Sequence, residues 1–127
     1  TQGPQYHYEL AQQLSALRNK GVLIIGSGNL VHNLRMVAWD KMNDPEYGLD
    51  WAIAANNKFK QLIQDGNHKD LINYSNLGRE VQLAVPTPDH FLPLLYTLAL
   101  KDKNEPISFF NDKPVMGSLT MTWVKIG

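Results

Sequence analysis

Gly26-Ser27-Gly28-Asn29 is followed within one helical turn by His32, Asn33 and Arg35, and this run holds the first residues suited to chemistry. Glycines let backbone approach a ligand or a neighbouring element closely, and histidine changes charge near neutral pH. Two chemistries compete for the loop. Gly26-Ser27-Gly28 matches the first half of the glycine-rich dinucleotide fingerprint, but Val31 stands where that fingerprint needs Gly or Ala, and its branched side chain opposes close helix packing. The other chemistry presents His32 into a cleft as acid, base or metal ligand. Beside both stands a plainer reading, a histidine that satisfies loop backbone groups.

A second stretch carries the other well-placed histidine: Val85-Pro86-Thr87-Pro88-Asp89-His90-Phe91-Leu92-Pro93-Leu94-Leu95-Tyr96. Thr87 suits an N-cap and Pro88 a first helical position, so a helix is expected from here to about Leu100, with Phe91, Leu94, Leu95 and Leu98 inward. His90 then falls in the opening turn, where the helix dipole favours the neutral ring that a metal ligand or proton acceptor must be. A ring stacked under the preceding prolines is the structural alternative.

The elements that must position these residues are legible from periodicity. Tyr6, Leu10, Leu14 and Leu17 form one stripe, which predicts an amphipathic helix over 6–20, with His7 at its start as an exposed or packing residue. Val22 to Ile25 is apolar, mostly β-branched and ends in glycine, the pattern of a strand buried on both faces. Pro45 and Gly48 mark a surface excursion. Asp50 is expected to cap a helix whose inner face is Ala52, Ala55, Phe59, Leu62 and Ile63 and which ends at Gly66. Trp51 reads as core, and His68 as a solvated first-turn residue of a short helix through Asn73. Pro106 to Phe110 reads as a strand, Asn111-Asp112 as a turn, and Ser118 to Trp123 as a half-buried strand. The fold class expected is α/β, a layered α/β/α arrangement with a mixed sheet.

Composition narrows the partners. The chain has 127 residues, 12 basic and 12 acidic side chains and no cysteine. Zero net charge without a basic cluster removes the electrostatic case for nucleic acid or an anionic membrane. Without cysteine there is no disulfide framework, no thiolate catalysis and no thiolate metal site, so a metal would need histidine or carboxylate. No signal-peptide pattern or membrane-length apolar run occurs, and the cytoplasm is the expected location. The first residue is Thr1 rather than Met, which suggests a piece of a longer chain.

Gly26-Ser27-Gly28-Asn29-Leu30-Val31-His32-Asn33-Leu34-Arg35, Asp50-Trp51-Ala52, Asn73-Tyr74, the Pro86 to Tyr96 stretch and Gly117-Ser118-Leu119 together resemble the class III extradiol ring-cleaving dioxygenases. The nearest branch is the bacterial and plant 4,5-DOPA extradiol dioxygenases. The resemblance implies that residues 1–127 are the carboxyl-terminal half of a catalytic α/β domain of about twice this length. It implies a catechol such as L-DOPA and O2 as substrates. One Fe(II) or Zn(II) ion per site is expected, with the remaining ligands from the amino-terminal half. His32 is expected as acid–base residue and metal ligand, and His90 near metal and substrate. Asn33 and Thr87 are expected as supporting, substrate-side groups. Alongside this reading stand a non-catalytic structural or dimerising fragment, the amino-terminal half or a second copy as partner, and the nucleotide-binding module.

Overall fold

The structure, a computed structural model, describes residues 2–127; Thr1, noted above, lies outside them. The expected first helix is two: α1 (Pro4–Gln12) and α2 (Ser15–Arg18). Between them the hydrogen bonds tighten to three-residue spacing, Gln13 N–H to Leu10 O and Leu14 N–H to Ala11 O, which ends the α-helical ladder. His7 is a packing residue, its Nδ1 3.0 Å from the Tyr96 hydroxyl.

The largest departure from expectation is Val22 to Ile25. This run is extended but belongs to no strand, and Leu23 and Ile25 are 82% and 73% exposed. Its composition suits a buried strand, yet none of the described residues supplies a strand to pair with it. Propensity writes the conformation; ladder formation needs a neighbour.

Helix α3 (Asp50–Gln64) begins one residue earlier than a capping Asp50 would require, with Leu49 at the N-cap and Asp50 in the first turn. Its inner face is the expected one: Ala52, Ala55, Phe59 and Ile63 are buried, and Gly66 follows at φ +66°. Trp51 packs against the core. Asn67 caps α4 (His68–Ile72) by accepting from Asp70 N–H. His68 is not solvated as expected: its Nδ1 lies 2.6 Å from the Tyr8 hydroxyl, and burial, then the charge of Lys101, pull its pKa down. A helix not anticipated, α5 (Arg79–Ala84), packs on α3.

The expected helix from Thr87 also divides. Pro88–His90 is a 3₁₀ turn, and α6 (Leu92–Ala99) starts after it, so His90 precedes the helix instead of opening it. Phe91, Leu95 and Leu98 are buried as predicted, and Leu94 is half-buried. The Phe59 and Phe91 rings meet at 4.9 Å. Burying each such side chain stabilises by roughly 1.5–3 kcal/mol, so the α3–α5–α6 core is the rigid base of the domain.

Strands close the chain: β1 (Ile107–Phe110), β2 (Pro114–Val115), β3 (Leu119–Thr120) and β4 (Trp123–Ile126). The expected strand over 118–123 is thus split at Met121-Thr122. β1 pairs with β4 and β2 with β3, both antiparallel, and the single bridge between Gly48 and Gly117 is parallel. The result is a layered α/β fold with small sheets.

One ion pair fixes the approach to the extended run. The Arg18 guanidinium grips the Glu105 carboxylate with both terminal nitrogens, and Nη1 also donates to Leu100 O at 2.6 Å. With that pairing first and the Asp102 N–H second, the Glu105 carboxyl falls from 4.5 to about 2. A depressed carboxyl stabilises the fold above its unfolded pKa and loses that contribution as pH falls. We expect stability in a urea titration to drop between about pH 4.5 and 2 and Glu105→Gln to flatten that drop; an unchanged pH profile in the variant would contradict the assignment.

Candidate metal and acid–base site

His32 and His90, 58 positions apart in sequence, lie face to face: ring centroids 3.7 Å apart, planes 21° from parallel. Each is brought there by backbone hydrogen bonds. His32 N–H donates to Ala84 O at 2.8 Å, at the end of α5, and His32 bridges Leu119 of β3. On the other side Asn29 N–H donates to His90 O at 2.9 Å, while the Asn29 side-chain amide donates to Thr120 O at 2.8 Å. Asn29 therefore ties the loop both to the His90 turn and to β3.

The glycines make this approach possible. A Cβ on Gly26 would stand 2.7 Å from Pro93 O, and one on Gly28 would collide with His90 O. Their role is to let the loop lie directly on the 90–93 backbone. No α-helix follows the loop, only the 3₁₀ turn Leu34–Met36, and Val31 is fully buried. The helix N-terminus that would hold a pyrophosphate is missing, so the dinucleotide reading loses its physical basis.

Of the supporting residues, Asn33 is buried and committed to backbone: its amide donates to Leu83 O at 2.8 Å, and its oxygen accepts from Arg35 N–H at 3.1 Å. The Ser118 hydroxyl donates to Asn33 O at 2.7 Å. Asn33 holds the backbone behind His32. Thr87 is exposed and makes no helix cap; its hydroxyl bonds Asp89, the largest cause of that carboxyl's lowered pKa. Asp89 in turn lies 3.2 Å from His90 Nε2. Sequence reasoning did not single out Asp89, although a carboxylate adjacent to a histidine is the usual means of orienting an imidazole.

Electrostatics favour a neutral His32. Burial lowers its pKa first, the neighbouring His90 lowers it further, and Asp89 partly opposes them. The pair offers the donor type that a metal takes, but rings stacked at 21° from parallel point their in-plane nitrogen lone pairs side by side, so binding one ion through both would need a ring to turn. The two rings do not suffice in number either: among the described residues no group of three or more His, Cys, Asp or Glu side chains converges. Nor is any described helix long and apolar enough to cross a membrane. His90 lies on a groove of about 1060 Å³ that runs from the glycine loop along β4.

This fold and histidine pair accompany a match over residues 1–120 to the family described as the catalytic LigB subunit of aromatic ring-opening dioxygenase; the chain belongs to that family of non-haem metal dioxygenases. Within it, the chain is similar to the 4,5-DOPA dioxygenase extradiol of Escherichia coli, with 41% identity over 126 residues, 96% of this chain and 45% of that protein. The protein of the same name from Mirabilis jalapa is 32% identical over 78% of this chain and 36% of its own length. The crystal structure of an uncharacterized Escherichia coli K12 protein superposes with a TM-score of 0.88 at 37% identity, covering 99% of this chain and 51% of that one. The chain thus spans about half the length, or less, of the relatives it matches.

The glycine contact is directly testable. Gly28→Ala should cost about 1–3 kcal/mol in urea denaturation, the range for forcing atoms into filled space, while Ser27→Ala at the exposed neighbour stays within about 0.5 kcal/mol. Equal stability of the two variants would show that loop and His90 turn are not in contact.

Proposed function

We propose that this chain supplies the histidine pair of an extradiol dioxygenase that opens the ring of a catechol of the L-DOPA type, adding both atoms of O2 to give an open-ring semialdehyde. The observation that carries the reading is the 3.7 Å stacking of His32 on His90, whose ring lines the groove. Family membership and the printed names of the relatives support it.

In this reading His90 would hold one Fe(II) or Zn(II) together with ligands from the portion of the domain that this chain does not span, and His32 stands beside it with the lone pair of one ring nitrogen free. When bound, Fe(II) supplies open positions for catechol and O2 and acidifies the catechol hydroxyl, whereas redox-inert zinc would hold substrate only. The chain's own residues handle the proton. His32, kept neutral at pH 7 by burial, accepts the proton of a catechol hydroxyl on a ring nitrogen and returns it to oxygen as the ring opens. Holding a proton through that interval needs a group that titrates near neutrality, which histidine meets. His90 lies beside metal and substrate, its ring held by Asp89 and, through Asp89, by Thr87. Asn33 fixes the backbone that presents His32.

A second reading has its own support. With only two converging imidazoles, the isolated 127-residue chain makes a weak metal site and serves as a structural or dimerising piece without turnover.

Oxygen uptake separates the two. The full-length enzyme loaded with Fe(II) should consume O2 with L-DOPA and form a yellow product. His32→Ala should cut the rate about 10²–10⁴-fold, the usual worth of a positioned acid–base group. The isolated chain should bind no stoichiometric iron and show no uptake. Unchanged turnover in His32→Ala would discard the acid–base role, and tight iron binding by the isolated chain would discard the shared site.

A further inference from the structure

The segments that build the histidine site, residues 26–38, 84–93 and 117–121, contain one anion, Asp89, and one cation, Arg35. Several other long basic side chains of the fold rest on acceptors: Arg18 on Glu105 and the Leu100 carbonyl, Lys58 on Glu80 and the Leu77 carbonyl, Lys41 on Asp44, and Lys60 on Asp112. Arg35 is exposed, and among the described residues no carboxylate lies within ion-pairing distance of its guanidinium.

The root of that free arm is nevertheless fixed, and by the residue that also fixes His32. Arg35 N–H donates to Asn33 Oδ1 at 3.1 Å, Met36 N–H donates to Asn33 O at 3.2 Å, and Ala38 N–H donates to Met116 O at 2.9 Å. Asn33 is in turn held by Leu83 O and the Ser118 hydroxyl. Three residues of chain span at most about 11 Å, so the arm starts within that distance of His32. Its neighbours Leu34 and Met36, 59% and 39% exposed, make the rim apolar around a single positive charge.

Charge is therefore graded across the stacked rings. On the His90 side Asp89 lies 3.2 Å from Nε2; on the His32 side the nearest charge along the chain is Arg35. A catechol placed at the rings by its hydroxyl edge turns its substituent outward toward this rim. An anionic substituent is repelled by Asp89 and attracted by Arg35, whose planar fork matches a carboxylate with two parallel hydrogen bonds.

We propose that Arg35 determines substrate specificity by taking the carboxylate of a catechol whose side chain is apolar beside the ring and ends in that group. The inference rests on the ring-opening function proposed above and narrows its substrate class.

The test compares two catechols of matched length in the full-length enzyme: hydrocaffeate, whose side chain ends in carboxylate, and propylcatechol, which lacks the charge. Calorimetry on the zinc-loaded enzyme reads binding without turnover, and O2 uptake with Fe(II) reads KM and kcat. Arg35→Met should weaken hydrocaffeate binding and raise its KM about ten- to hundredfold, with propylcatechol binding and both kcat values changed less than about twofold. Arg35→Lys, which keeps the charge and loses the fork, should fall between. Lys103→Met, past the far end of α6, removes one charge as well and should change neither ligand. Equal losses for both catechols in Arg35→Met, undiminished hydrocaffeate binding, or failure of the unaltered enzyme to bind either catechol would refute the assignment. Arg35-dependent hydrocaffeate binding without O2 uptake would uphold it and refute the dioxygenase reading; uptake with hydrocaffeate affinity indifferent to Arg35 would do the reverse.

Discussion

Two glycines set the distance on which the site depends. Gly26 and Gly28 allow the loop to rest on the carbonyls of Pro93 and His90, and Asn29 locks that contact with one backbone and one side-chain hydrogen bond. Everything else acts through this junction. The loop continues into His32, held by Ala84 at the end of α5, and the turn continues into α6, whose Phe91, Leu95 and Leu98 anchor it in the core. Two imidazoles from distant parts of the chain are thereby brought into contact by backbone geometry, with no direct hydrogen bond between them required.

Burial is distributed to match. The helices α3, α5 and α6 carry the packed core, while the extended run and the β1–β4 strand pair carry exposed apolar side chains. A rigid helical base with the two imidazole rings at its edge keeps those rings placed even where the strands beyond them lack neighbours. The neutral state of His32 follows from the same placement, since partial burial and a second imidazole at 3.7 Å both oppose charge.

Much of this was legible in the residues, for identifiable reasons. The inner face of α3 and the buried positions of α6 follow helical periodicity, and the sequence alone marked His32 and His90 as the histidines to watch. Information carried by distant partners was not legible. His68 reads as solvated until Tyr8, 60 positions away, is seen to hold it. The run Val22 to Ile25 has the composition of a buried strand and lies exposed, because pairing is a property of two segments. Helix α5 is short and enters from Gly78 at φ +109°, too brief for periodicity to show. The glycines were legible as glycines, but whether they admit a phosphate or a neighbouring carbonyl was decided by where Pro93 and His90 fall. Asp89 escaped notice since its value lies in the hydrogen bond that Thr87 gives it and its proximity to the His90 ring.

The central claim is the contact between the two rings, and the most direct measurement is a nuclear Overhauser spectrum with histidine-selective labelling. Protons of rings stacked at 3.7 Å should give strong cross-peaks between His32 and His90, lost on replacing either residue. Absence of those cross-peaks, with each ring instead showing contacts only to separate surroundings, would contradict the account.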